Sequence, residues 1–97
     1  MSVERRPQII LNLSSVSDEE ALHDKLTDMF DFPSYYGRNW DAFFDCIMYD
    51  PEMRMPEILE VEGFRELSEK LPSAALKFQK CLEDYAEEYT ERKVILK

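Results

Sequence analysis

Apolar residues along this chain fall in blocks whose spacing alternates between the strand period and the helix period. Ile9, Ile10 and Leu11 stand together in a short aliphatic run, residues 8–13, bounded by Pro7 and Ser14-Ser15, which predicts a first strand. The unbroken Ile-Ile-Leu core predicts burial on both faces, as in a parallel sheet. Ser17 and Glu20 have the spacing of a capping box with Ser17 as N-cap, and Leu22, Leu26, Met29 and Phe30 follow at helical intervals. This first helix exposes Asp24, Lys25 and Asp28, and the spacing leaves His23 among its surface residues.

Pro33 and Gly37 frame a turn, with Gly37 free to take a positive φ, and a second helix is predicted from Asn39 to about residue 50. Asn39 is its N-cap, and Asp41 sits where the helix dipole favours an anion. Trp40, Phe43 and Ile47 keep the i, i+3, i+7 rule with Cys46 beside them, so they form the core stripe; Asp41, Phe44, Asp45 and Met48 fall opposite. Of Tyr35 and Tyr36, in the turn, one ring is expected to pack inward. A loop punctuated by Pro51 and Pro56 leads to a second strand at 57–61, which Gly63 ends. Residues 64–71 form a short helix, Pro72-Ser73 separate it from a longer one at 74–89, and Val94, Ile95 and Leu96 form the last strand. The buried stripe of the long helix is Phe78, Cys81, Leu82, Tyr85 and Tyr89; Lys77, Lys80, Asp84, Glu87 and Glu88 face outward. Strands joined through helices predict an α/β fold in which a small parallel sheet packs against helices, with residues 1–97 as one domain.

Composition sharpens this picture. The 97 residues carry a net charge of −9, which speaks against binding nucleic acid or an anionic membrane and favours basic partners or plain solubility. The apolar run near the N-terminus is too short for an export signal and nothing later is long enough to span a membrane, so a cytoplasmic protein, monomeric when free, is expected. Cys46 and Cys81 read as buried free thiols. With one histidine and two glycines, the sequence offers no metal cluster, no phosphate-cradling loop and no base for a nucleophile; neither enzyme activity nor a cofactor is expected. What the composition leaves unexplained is the outward face of the second helix. Asp41 and Asp45 at i, i+4 repel one another, and Phe44 places a large ring between them, a poor solvated face and a good patch for a partner with concentrated positive charge.

The run Tyr35-Tyr36-Gly37-Arg38-Asn39-Trp40-Asp41-Ala42-Phe43-Phe44-Asp45-Cys46 resembles the barstar family, intracellular bacterial inhibitors of barnase-type ribonucleases. Pro56, Leu59 and Glu60 followed by Phe64, and the apolar Val94-Ile95-Leu96, extend the resemblance over nearly the whole chain. It implies a three-stranded parallel sheet with helices, and an immunity role in which the second helix and the preceding turn plug the active site of a basic extracellular or delivered ribonuclease. Carried over, Asp45 is the principal phosphate mimic and Asp41 the second anion; Tyr35 and Asn39 make contacts near the turn, Phe44 packs on the nuclease, and Asp84 reaches it from the fourth helix, with Glu83 and Glu87 as alternatives. The chain departs from the family pattern at Phe44, where a tryptophan is usual, at Trp40, where a leucine is, and at Arg38, where a glutamate is. Arg38 is thus expected to place a cation beside the site. The reading from another class is an acidic interaction module with the same fold and a basic partner that is not a nuclease.

Overall fold

The computed structural model describes residues 8–32, 36–49 and 55–97. Three strands, β1 (Gln8–Asn12), β2 (Ile58–Glu62) and β3 (Lys93–Leu96), form one sheet in the order β1-β2-β3. Both pairings are parallel, with Leu11 opposite Val61 and Leu59 opposite Val94. Parallel neighbours need long crossovers. The first carries α1 (Glu19–Phe30) and α2 (Trp40–Met48), and the second carries α3 (Phe64–Lys70) and α4 (Pro72–Glu88). Three parallel strands with four helices match the predicted α/β architecture.

The sheet is buried on one face only, which corrects the expectation drawn from the aliphatic run. Ile9, Leu11, Leu59 and Val61 point into the core, while Ile10 is 51% exposed and Ile95 39% exposed. Residues paired across the outer face run Ile10, Glu60, Ile95, and Glu60 forms an ion pair with Lys97. A charged pair in the middle of that row needs water, so the face stays open.

Helix starts and the turns before them follow local chemistry, with three departures from expectation. Asp18, one residue beyond the predicted Ser17, caps α1 by accepting a hydrogen bond from the Ala21 amide at 2.7 Å. In the turn before α2 the left-handed residue is Arg38, at φ 53°, and not Gly37. Pro72 opens α4 two residues earlier than predicted, since its missing N–H costs nothing in a first turn. Gly63 joins β2 to α3 at φ 76°, and a Cβ there would lie 2.5 Å from the Ser14 amide nitrogen and 2.9 Å from the Ser14 Cα. Backbone contact and left-handed strain act together, so Gly63→Ala should cost at least about 1–2 kcal/mol. In a thermal melt that is a fall of at least about 4 °C, and an unchanged Tm would contradict the close approach.

The core gathers on the inner face of the sheet, around Phe43 from α2 and Phe78 from α4, both wholly buried. Their rings lie 5.6 Å apart, and Trp40 and Phe32 pack on Phe43 at 5.6 and 5.8 Å. The Cys81 thiol faces the Trp40 carbonyl at 3.9 Å near one end of α2, and Tyr89 donates to the Met48 carbonyl at 2.7 Å at the other. Held at both ends, α2 lies against α4 with its outward face free. Cys46 and Cys81 are both buried and not joined in a disulfide, and burial pushes the Cys81 thiol up to about 11.

Candidate functional site

Between α2 and α4 runs an open groove of about 1000 Å³. One wall is the outward face of α2, with Asp41, Phe44 and Asp45; the other is α4, with Leu76, Lys77, Lys80 and Asp84. The helical periodicity that sends Phe43, Cys46 and Ile47 into the core forces Asp41 and Asp45 to this side. Both aspartates are exposed, and Phe44 is half-buried against the core with its ring edge-on to Tyr49 at 6.1 Å. Phe44 is thus partly packed, and less immersed in water than the sequence implied.

Asn39 sits at the mouth of the groove as N-cap of α2. Its Oδ1 accepts from the Ala42 amide at 2.8 Å and its Nδ2 donates to the Gly37 carbonyl at 3.2 Å, so the side chain first holds the turn and helix start in place. Of the three carboxylates proposed on the fourth helix, the geometry brings Asp84 to the groove; Glu83 and Glu87 are exposed and do not line it. Asp84 is paired with Lys80 at 3.0 Å, and that hydrogen bond pushes the Lys80 ammonium up from its ordinary value. Tyr35 lies outside the described residues. Tyr36 is buried in the core.

Arg38 lines the groove as expected, but it is not a bare cation. Its guanidinium pairs with Asp24 at 2.6 Å and reaches Glu20 at 3.8 Å, both on α1. These pairs offset its charge beside the site.

His23 overturns its assignment to the surface. It is 3% exposed, its Nδ1 is 2.6 Å from the Tyr36 hydroxyl, and its ring lies 4.6 Å from that of Trp40. Burial lowers its pKa, with Glu19 and Asp24 opposing this and Arg38 reinforcing it, while burial pushes the Tyr36 phenol well up. A neutral His23 is therefore hydrogen-bonded through Nδ1 to a phenol that keeps its proton. Because the unfolded chain takes up the proton more readily, folding stability should fall as pH drops below about 6.5, the ordinary histidine value. Urea unfolding at pH 7.5 and 5.5 measures this, and His23→Gln should flatten that part of the profile; a wild-type midpoint constant over this window would contradict the buried neutral imidazole.

Sequence reasoning missed Trp40, Leu76, Lys77 and Lys80 as groove residues. Leu76 gave a signal comparable to that of Phe44, an apolar residue off the core stripe of its helix, and it is 67% exposed. Among the described residues no three or more His, Cys, Asp or Glu side chains are grouped to hold a metal ion, and no helix is long and apolar enough to cross a membrane. The arrangement is an open concave surface with carboxylates between apolar side chains, suited to docking another macromolecule.

Comparison with known proteins agrees with this architecture. A Bacillus subtilis (strain 168) protein named "Putative ribonuclease inhibitor YrdF" is 50% identical over 40 residues, 41% of this chain and 44% of that protein, so the match spans less than half of either. The family model described as Barstar (barnase inhibitor) matches residues 6–97, and that description classes the chain with inhibitors and not with enzymes. With this match and the three-stranded parallel sheet beside four helices, the chain belongs to the barstar family.

Proposed function

We propose that this chain is a stoichiometric inhibitor of a barnase-type ribonuclease, acting in the cytoplasm of the bacterium that makes or meets the enzyme. The observation that carries the reading is the convergence of exposed Asp41 and Asp45 with Asp84 on one groove, where α2 is held against α4 at both of its own ends. Asp45 is the principal stand-in for the scissile phosphate and Asp41 the second anion; their charge-assisted hydrogen bonds go to the arginine and lysine side chains that would hold RNA. Phe44 anchors the contact, Asn39 sets the turn, and Tyr35 contributes from beside it. Asp84 meets the nuclease from α4. No cofactor takes part, and the free chain is a monomer.

An inhibitor that plugs the active site competes with any ligand bound there. A DNA oligonucleotide, which lacks the 2′-hydroxyl needed for cleavage, serves as that ligand. Increasing its concentration should weaken apparent inhibitor affinity in proportion to active-site occupancy, measured by fluorescence titration of the nuclease. Inhibitor binding that is indifferent to saturating oligonucleotide would place the contact elsewhere.

A further inference from the structure

The groove carries charges of both signs, divided unequally between its two walls. Its α2 wall presents Asp41 and Asp45, and Glu19 stands at the rim. Opposite them, α4 presents Lys77 and Lys80 with only Asp84, and Arg38 lies at the mouth. Four carboxylates against three cations leave −1 in the groove, with two of the cations on the α4 wall.

The three cations differ in what they are free to do. Arg38 is tied to α1 through Asp24 and Glu20, and Lys80 is tied to Asp84 within its own helix. Lys77 is exposed and has no hydrogen bond or ion pair among the described residues. It follows Leu76, a leucine two-thirds exposed on the same wall. A uniformly basic partner would meet repulsion along this wall, and a groove meant for such a partner gains nothing from a free lysine there.

We propose that Leu76, Lys77 and Lys80 form a specificity-determining wall, and that the cognate partner is a basic ribonuclease bearing an acidic side chain and an apolar contact beside its phosphate-binding cations. This rests on the inhibitor reading of the same groove. The α2 wall engages the cations that all enzymes of the class need to hold phosphate, and the α4 wall selects among those enzymes by what flanks them. On binding, the partner's carboxylate meets Lys77 and shares Lys80 with Asp84.

Lys80 makes the sign of the effect decisive. If the partner is uniformly basic, Lys80→Ala frees Asp84 and removes a repulsive charge, so affinity rises. If an acidic group faces this wall, Lys80→Ala and Lys77→Ala each weaken binding, and Lys77→Glu weakens it further. The experiment uses the full chain against the ribonuclease that it inhibits most strongly within a panel of barnase-type enzymes, barnase included. Affinities are measured at low salt, with thermal melts confirming that these surface variants fold.

We expect Lys77→Glu to weaken binding at least tenfold, on the order of one close charge pair. Lys80→Ala should weaken it about threefold, with the loss shrinking as salt is added. Unchanged or tighter binding of both lysine variants, while Asp45→Ala still weakens it, would overturn the selective wall and leave the inhibitor reading standing. Failure of the wild-type chain to bind any enzyme of the panel would overturn both.

Discussion

Asp45→Ala should weaken binding to the target ribonuclease by at least about 2 kcal/mol, roughly a thirtyfold rise in Kd, and leave thermal stability nearly unchanged. The side chain is exposed at the centre of the outward face of α2, and it makes no hydrogen bond or ion pair among the described residues. Folding therefore loses nothing with it. Truncation even relieves the repulsion from Asp41 one turn earlier, a gain of a few tenths of a kcal/mol. In the complex the balance is different: a carboxylate buried against arginine and lysine leaves those cations unpaired when it is removed, and unpaired buried charge is costly. Calorimetric titration and a melt on the same sample separate the two effects. An unfolded Asp45→Ala protein would mean that this helix face is structural.

Phe43→Ala should do the reverse, from two residues away on the same helix. Its ring is fully buried and packed by Phe32, Trp40 and Phe78, where a large cavity has little means of collapsing. A loss of about 3–5 kcal/mol is expected, set against the roughly 5–15 kcal/mol that stabilises a typical domain. For a chain of this length that is a fall in Tm of at least about 12 °C. Binding should weaken only as far as the folded fraction drops or α2 shifts on α4. Near-wild-type stability would contradict the placement of α2 against α4.

Short-range periodicity and capping made part of this structure legible in the sequence. Asn39 caps α2 as its side-chain chemistry requires, and the stripe of Phe43, Cys46 and Ile47 is buried as its spacing requires. By the same rule Asp41 and Asp45 had to face outward, so the acidic wall of the groove could be read without coordinates. The opposite wall depends on how far α2 and α4 are rotated against one another, which is set by rings meeting over long sequence separations. Lys77 and Leu76 could therefore be placed on the outer face of a helix, but not in a groove.

The burial of His23 was legible in the spacing. With Leu26 and Phe30 it stands at i, i+3, i+7 on α1, a position that periodicity marks as buried whatever its side chain. The bare outer face of the sheet was not legible in the same way. Ile10 has the composition of a doubly covered strand, and only the pairing of β1 with β2 and β3 brings Glu60 and its ion pair with Lys97 into the same row. The left-handed turn residue is a further such case. Gly37 was the natural candidate, but the positive φ falls one residue later, at Arg38, whose guanidinium pairs with Asp24 and Glu20 on α1.

Whether this groove stops a ribonuclease by occupying its active site is measured most directly by titrating RNA cleavage. Purified chain is added to a panel of barnase-type ribonucleases at low and at physiological salt. At least one enzyme is expected to lose its activity linearly and to reach zero at one inhibitor per enzyme, with tighter inhibition at low salt, as when an acidic surface meets a basic one. Full activity across the panel at several equivalents of the chain would contradict the inhibitor reading.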